Sequence, residues 1–130
     1  MAPAPLMPAQ RGLYIRLARM VNHVAVLLRR LGWEQHKEEM RWMRKAFIAT
    51  ARSGHVREPA ITSAVFNPHP PTSSPISFYE DNEAFIRGFI RAARLCNHMA
   101  IILRRLDQPD AAETMTNYRD DYFFEAWSPI

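Results

Sequence analysis

One ten-residue segment occurs twice in this chain. Residues 22–31 read NHVAVLLRRL and residues 97–106 read NHMAIILRRL, and they differ only by exchanges between apolar residues. The same offset of 75 aligns residues 13–48 with residues 88–123 without a gap, and 14 of these 36 positions are identical. A repeat of this length is typical of a supersecondary unit that occurs twice and packs against its own copy. The sequence therefore predicts two equivalent structural units.

In the first unit, apolar residues follow helical spacing from Leu13 to Leu31. Gly32 can adopt a positive φ and end that helix. A second helix is predicted from Trp33, with acidic residues at its start, basic residues toward its end and a stop at Ser53 and Gly54. Its apolar stripe consists of Trp33, Met40, Met43, Phe47 and Ala51.

In the second unit, a long helix is predicted from about residue 78 to residue 106. Ser77 and Glu80 have the spacing of a capping box at its start. Asp107 is predicted as the N-cap of a fourth helix, because aspartate favours that position and proline is tolerated in a first turn, where Pro109 stands. That helix carries Ala112, Met115, Tyr118, Tyr122 and Trp127 on its apolar side.

Neither helical hairpin can bury its apolar stripe alone. We therefore expect an all-α fold in which two tandem helical hairpins form a pseudo-two-fold four-helix bundle. Proline-rich segments set the predicted boundaries. They are a proline-rich arm at residues 1–11, hairpin 1 at residues 12–54, a proline-rich linker at residues 55–77 and hairpin 2 at residues 78–130.

The sequence contains no signature of catalysis or of a cofactor site. It has no glycine-rich phosphate loop, no HExxH and no GxSxG motif, and its single cysteine, Cys96, lies on an apolar helix face. The repeated Asn-His pairs, which include His23 and His98, have no other ligand at metal-binding spacing. No apolar run approaches the roughly 20 residues that span a bilayer. We expect neither an enzyme nor a cofactor or metal site.

Charge is distributed unevenly along the chain. Residues 1–77 carry a net charge of +7 and residues 78–130 a net charge of −3, and the first acidic residue is Glu34. An arginine-rich, acid-free, amphipathic start is typical of mitochondrial targeting segments. We expect a mitochondrial location, in the matrix or beside the inner membrane, with a targeting segment that also serves as structure.

Arginines and large aromatic residues are the candidate partner-binding groups. The arginines repeat on the polar side of the two first helices, where they can pair with carboxylate or phosphate. The aromatic residues are too many for all of them to face inward, and exposed aromatics are typical of protein interfaces. The predicted partner-binding residues are Tyr14, Arg16, Arg19, Arg29, Arg30, Trp42, Arg44, Phe47, Arg91, Arg94, Arg104, Arg105 and Trp127.

The stretches RGLYIRLAR at residues 11–19 and RWMRKAFIATARSG at residues 41–54 resemble the LYR-motif family of small mitochondrial helical proteins. Leu13, Tyr14, Arg16 and Phe47 match the family pattern, with Ile15 inserted between the tyrosine and the arginine. The resemblance implies an accessory subunit or assembly factor of a respiratory complex. It also implies an adaptor for acyl carrier protein, whose acyl chain would enter the helical bundle.

These features together predict a non-catalytic accessory subunit of a large mitochondrial assembly. We expect a respiratory-chain or ATP-synthase complex, in which the helix faces and proline-rich segments staple neighbouring subunits. Two alternatives remain open. One is a mitochondrial ribosomal protein that contacts RNA through its arginines, and the other is a LYR-type adaptor that binds acyl carrier protein.

Overall fold

The computed structural model of the chain describes residues 5–32, 34–55 and 82–127. These residues form α1 (Pro8–Leu31), α2 (Glu34–Ser53), α3 (Asn82–Arg105) and α4 (Pro109–Trp127), and they include no strand. Helix α1 packs along α2, α3 packs along α4, and the two hairpins meet through α1 and α3. The prediction of a helical bundle built from two tandem hairpins is confirmed. Within the described ranges, no helix is long and apolar enough to cross a membrane.

Helix α1 begins earlier than the sequence predicts. Residues 8–11, which the prediction assigned to the proline-rich arm, are helical. Pro8 occupies the first helical position, where its missing N–H and fixed φ are no disadvantage. The Gln10 side chain accepts a hydrogen bond from the Met7 backbone N–H at 2.8 Å and closes the first turn. The predicted capping box at Ser77 and Glu80, and the predicted linker beyond His55, lie outside the described residues.

The turns that end α1 and α3 have the same geometry. Gly32 has φ 81° and Asp107 has φ 58°, so both adopt the left-handed conformation. The Gly32 N–H donates to the Arg29 carbonyl at 3.2 Å, and the Asp107 N–H donates to the Arg104 carbonyl at 3.1 Å. The prediction of Asp107 as the N-cap of α4 is therefore wrong. Asp107 terminates α3, because a left-handed residue is needed there and aspartate tolerates that conformation better than most residues.

The buried residues of the two hairpins correspond at the offset of 75. Fully buried pairs include Tyr14 with Phe89, Met40 with Met115, Met43 with Tyr118 and Phe47 with Tyr122. The described members of the predicted α2 stripe, Met40, Met43, Phe47 and Ala51, are buried, while Trp33 lies outside the described residues. Both halves therefore contribute the same positions to one shared core.

Helices α1 and α3 pack close together and run antiparallel. A Cβ atom built on Gly88, near the start of α3, would lie 3.1 Å from Cδ2 of Leu31 at the end of α1. One turn further along α3, the charge of Arg91 acts on His23, which precedes Leu31 in α1 by about two turns. Later residues of α3 therefore lie beside earlier residues of α1. Both helices carry small buried residues, including Ala18, Ala93 and Cys96, which is compatible with this close packing.

Candidate functional site

The polar sides of α1 and α3 carry eight exposed arginines, which we call the arginine surface. It comprises Arg16, Arg19, Arg29, Arg30, Arg91, Arg94, Arg104 and Arg105. The amphipathic pattern produces it, since the opposite side of each helix supplies the core. All eight residues were predicted to bind a partner, and the structure leaves all eight accessible.

The arginine surface contains almost no compensating negative charge. Helix α1 has no acidic residue, and α3 has Glu83 in its first turn. No carboxylate of the described residues lies within ion-pair distance of any of the eight guanidinium groups. The described ion pairs belong to α2 and α4, where Glu38 pairs with Lys37 and Arg41, and Asp120 pairs with Arg119. The arginine surface is therefore a concentrated positive patch.

His23 shows that the arginines of α1 and α3 adjoin. Partial burial lowers the pKa of His23 below its usual 6.5, and the positive charges of Arg91 on α3 and Arg30 on α1 lower that pKa further. A charge on α3 can act on a histidine of α1 only where the polar sides of the two helices meet. Arg91 of α3 and Arg30 of α1 therefore lie near the same histidine, so the arginine-bearing sides of the two helices meet there.

We expect the pKa of His23 to rise when this positive field is weakened. Salt screens the repulsion between His23 and the two arginines, so NMR titration in about 1 M NaCl should give a higher pKa than in low salt. Arg91→Gln should raise the pKa of His23 at low salt for the same reason. An exposed arginine of α2, changed by Arg44→Gln, should leave that pKa unchanged. If Arg91→Gln and Arg44→Gln changed the pKa of His23 equally, the result would contradict the close approach of the polar sides of α1 and α3.

The middle of the arginine surface carries equivalent apolar residues. Val26 on α1 and Ile101 on α3 stand 75 positions apart, and each is 41% exposed. Asn22 and His98 are also accessible there, while the Asn97 side-chain oxygen accepts a hydrogen bond from Arg119 at 2.8 Å. In the described part of the chain, no three His, Cys, Asp or Glu side chains are grouped to hold a metal ion.

Two of the predicted partner-binding residues belong to the core instead. Tyr14 and Phe47 are each 1% exposed, and their ring centroids are 6.1 Å apart between α1 and α2. Their aromatic rings complete the apolar sides of their helices, so neither ring can contact a partner in this fold. Trp42 and Arg44 are exposed on the outer side of α2, as expected. The side chain of Trp127 lies outside the described residues.

A buried polar cluster between α2 and α4 was not predicted from the sequence. His36 is 1% exposed, and its Nδ1 lies 3.2 Å from the Tyr122 hydroxyl. The Tyr118 ring contacts His36 edge-on, and the Tyr118 hydroxyl donates to a carboxylate oxygen of Glu39. Burial raises the pKa of both tyrosines, which therefore remain neutral hydrogen-bonding groups. The sequence does indicate that His36 is buried, since it precedes Met40 by four residues and therefore lies on the apolar side of α2.

A shallow groove of about 460 Å³ lies between the start of α1 and the end of α2. Ile15 and Ile48 provide its apolar lining. The Arg11 guanidinium at its edge donates to the carbonyls of Ala51 at 2.8 Å and Arg52 at 3.0 Å. These bonds satisfy the carbonyl end of α2, so Arg11 serves as a helix cap here.

The described residues contain no arrangement typical of a nucleophile with its base. Cys96 is buried, and burial raises the pKa of its thiol, so it behaves as a core residue. Comparisons with protein-family models, with characterised proteins and with solved structures find no match to this chain. The arginine surface and the exposed apolar side chains are therefore the features of the described residues that suit the binding of partners.

Proposed function

We propose that this protein is a non-catalytic accessory subunit of a large mitochondrial assembly. The arginine surface is the observation that carries the proposal. Eight exposed guanidinium groups on two packed helices, without described carboxylate partners, repel one another, and a partner that supplies negative charge relieves this repulsion. Such a surface suits a subunit that is held in place by charged neighbours.

Exposed apolar residues elsewhere on the bundle support contacts with more than one neighbour. Trp42 on α2 is 47% exposed and Phe124 on α4 is 67% exposed. Neither residue belongs to the arginine surface. Large aromatic residues in such positions are enriched at protein interfaces. A subunit with several distinct contact surfaces can staple neighbouring subunits together.

The proposed mitochondrial location is supported by α1. This helix carries five arginines and no acidic residue, as targeting segments do. It also supplies Tyr14, Leu17 and Val21 to the core. Removal of this segment would expose the apolar sides of α2 and α3, so we propose that it is retained in the mature protein.

Two kinds of host are proposed, an energy-converting complex and the ribosome. A respiratory-chain or ATP-synthase complex is supported by the likeness of residues 11–19 and 41–54 to LYR-motif proteins, a likeness that also supports acyl carrier protein as a neighbour. The mitochondrial ribosome is the second candidate, and the arginine surface favours it because phosphate groups are a natural partner for guanidinium groups.

Native purification tests the proposal. The full chain with a C-terminal tag would be recovered from mitochondria in low salt, and the co-purifying molecules identified by mass spectrometry and RNA sequencing. We expect a defined set of subunits, with respiratory, ATP-synthase or ribosomal proteins identifying the host and an acylated carrier protein identifying the adaptor role. Recovery of the tagged chain as a free monomer would contradict the proposal.

A further inference from the structure

The arginine surface has two ends with equivalent composition. Because α1 and α3 are antiparallel, the end of α1 with Arg29 and Arg30 lies beside the part of α3 with Arg91. The same register brings the end of α3 with Arg104 and Arg105 toward the start of α1. Each end therefore combines arginines from both helices, and the offset of 75 relates one end to the other as a local two-fold axis would.

The two ends of the arginine surface are well separated along the helix axes. Arg16 and Arg29 stand 13 positions apart in α1, which corresponds to about 20 Å along the helix axis. Between them lie the exposed apolar side chains of Val26 and Ile101. A ligand that engages both ends must carry negative charge at two places that far apart.

The chemistry of the surface favours phosphate groups bound by direct hydrogen bonds over general attraction to a membrane. All the basic side chains of α1 and α3 are arginine, and Lys37 and Lys45 are on α2. Arginine binds phosphate oxygens in a bidentate manner, whereas general attraction to anionic lipid does not require arginine over lysine. The exposed large apolar side chains of α1 and α3, Ile15, Val26 and Ile101, are aliphatic, and the exposed aromatic residues Trp42 and Phe124 are on α2 and α4, whereas interfacial helices commonly enter a membrane with aromatic residues.

The width of the arginine surface favours a shallow groove of a nucleic acid duplex over a deep one. Two packed helices are together about 20 Å wide, which exceeds the roughly 12 Å major groove of B-DNA. The minor groove of an RNA duplex is wide and shallow, and its phosphates line both edges. The two strands of a duplex are antiparallel and are related by local two-fold axes, like the two ends of the arginine surface.

We propose that the arginine surface binds duplex RNA across a minor groove, with one end on each strand. This inference deepens the second candidate host, the ribosome, by naming the form of RNA that is bound. It does not depend on contacts made by Trp42 or Phe124.

Fluorescence anisotropy with the full chain tests the inference. The probe is a labelled RNA duplex of about 20 base pairs, which is longer than the surface, titrated from about 50 to 200 mM KCl. The test variant combines Arg29→Gln, Arg30→Gln, Arg104→Gln and Arg105→Gln. We expect binding on the order of 100-fold weaker than that of the unmodified chain, with a logarithmic salt slope shallower by about 3.

The matched control removes the same charge from the outer side of α2. It combines Arg41→Gln, Arg44→Gln, Lys45→Gln and Arg52→Gln, all at exposed positions. We expect its affinity to stay within about 3-fold of the unmodified chain. Circular dichroism should show unchanged helix content in both variants. An equal loss of affinity in the two variants would overturn the arginine surface as the binding site.

The affinities for other ligands distinguish duplex RNA from other partners of the arginine surface. Single-stranded RNA or duplex DNA that binds as tightly as duplex RNA would overturn the duplex inference while leaving ribosomal RNA contact possible. Failure of every RNA probe to bind would remove the ribosomal candidate as well. Tighter binding to phosphatidylserine vesicles or to polyglutamate than to duplex RNA would assign the surface to a membrane or to an acidic protein. Co-purified subunits test the accessory role independently.

Discussion

Replacement of Phe89 by alanine is expected to lower the free energy of unfolding by about 3–5 kcal/mol. Phe89 is fully buried in α3, with its ring 4.8 Å from that of Phe85 and 6.1 Å from that of Tyr122. The substitution removes apolar contacts and leaves a cavity where α3 meets α4. Since small domains are stable by about 5–15 kcal/mol, this variant should be largely unfolded in moderate urea. Chemical denaturation followed by circular dichroism measures the change.

Phe124→Ala is the matched control for this experiment. Phe124 has the same side chain and is 67% exposed on α4. Its truncation should change the free energy of unfolding by less than about 0.5 kcal/mol. If the two substitutions have similar effects, Phe89 does not occupy the core position described here.

Leucine at Gly88 is expected to destabilise the protein by about 2–3 kcal/mol. A single Cβ atom at this position already lies 3.1 Å from the Leu31 side chain, and the rest of a leucine would extend into α1. The described contacts between the two hairpins depend mainly on the packing of α1 against α3. We therefore expect a lower melting temperature and looser attachment of the hairpins, which hydrogen exchange can measure in α1 and α3.

Gly12→Leu should have the opposite effect. Gly12 is also inside a helix, but nothing lies within 4 Å of a Cβ atom built there. Leucine has a higher helix propensity than glycine, so the substitution should stabilise the protein by about 0.5–1 kcal/mol. Equal effects at Gly12 and Gly88 would show that helix propensity, and not helix packing, determines both results.

The hairpins and most of the core could be predicted from the sequence because they depend on periodicity. Residues spaced like Leu17, Val24 and Leu28 lie on one side of any helix, and a repeat requires its second copy to follow the same pattern. The eight arginines could be predicted as exposed on the same ground. It could not be predicted that the arginines of α1 and α3 lie side by side. Amphipathicity determines which side of each helix faces inward, but it does not determine the order of the helices around a bundle.

The failed predictions have local physical reasons. Asp107 has the composition of an N-cap, yet it stands 75 residues after Gly32 and fulfils the same left-handed requirement. The repeat indicates that Asp107 ends α3 as Gly32 ends α1. The preference of aspartate for N-cap positions suggests the other role. Tyr14 and Phe47 belong to the surplus of aromatic residues that predicts partner contacts, but each shares the spacing of its buried neighbours. Pro8 begins α1 because proline is excluded from helix interiors but not from first turns.

The cluster of His36, Glu39, Tyr118 and Tyr122 makes the two halves of the chain unequal. The positions that correspond to His36 and Tyr122 at the offset of 75 are Ala111 and Phe47. If hairpin 1 paired with hairpin 1 of another molecule, His36 would meet the phenyl ring of Phe47 and lose the Tyr122 hydroxyl. A buried polar group without its hydrogen-bond partner costs about 1–3 kcal/mol. The cluster thus favours the pairing of unlike halves and discourages exchange of hairpins between molecules.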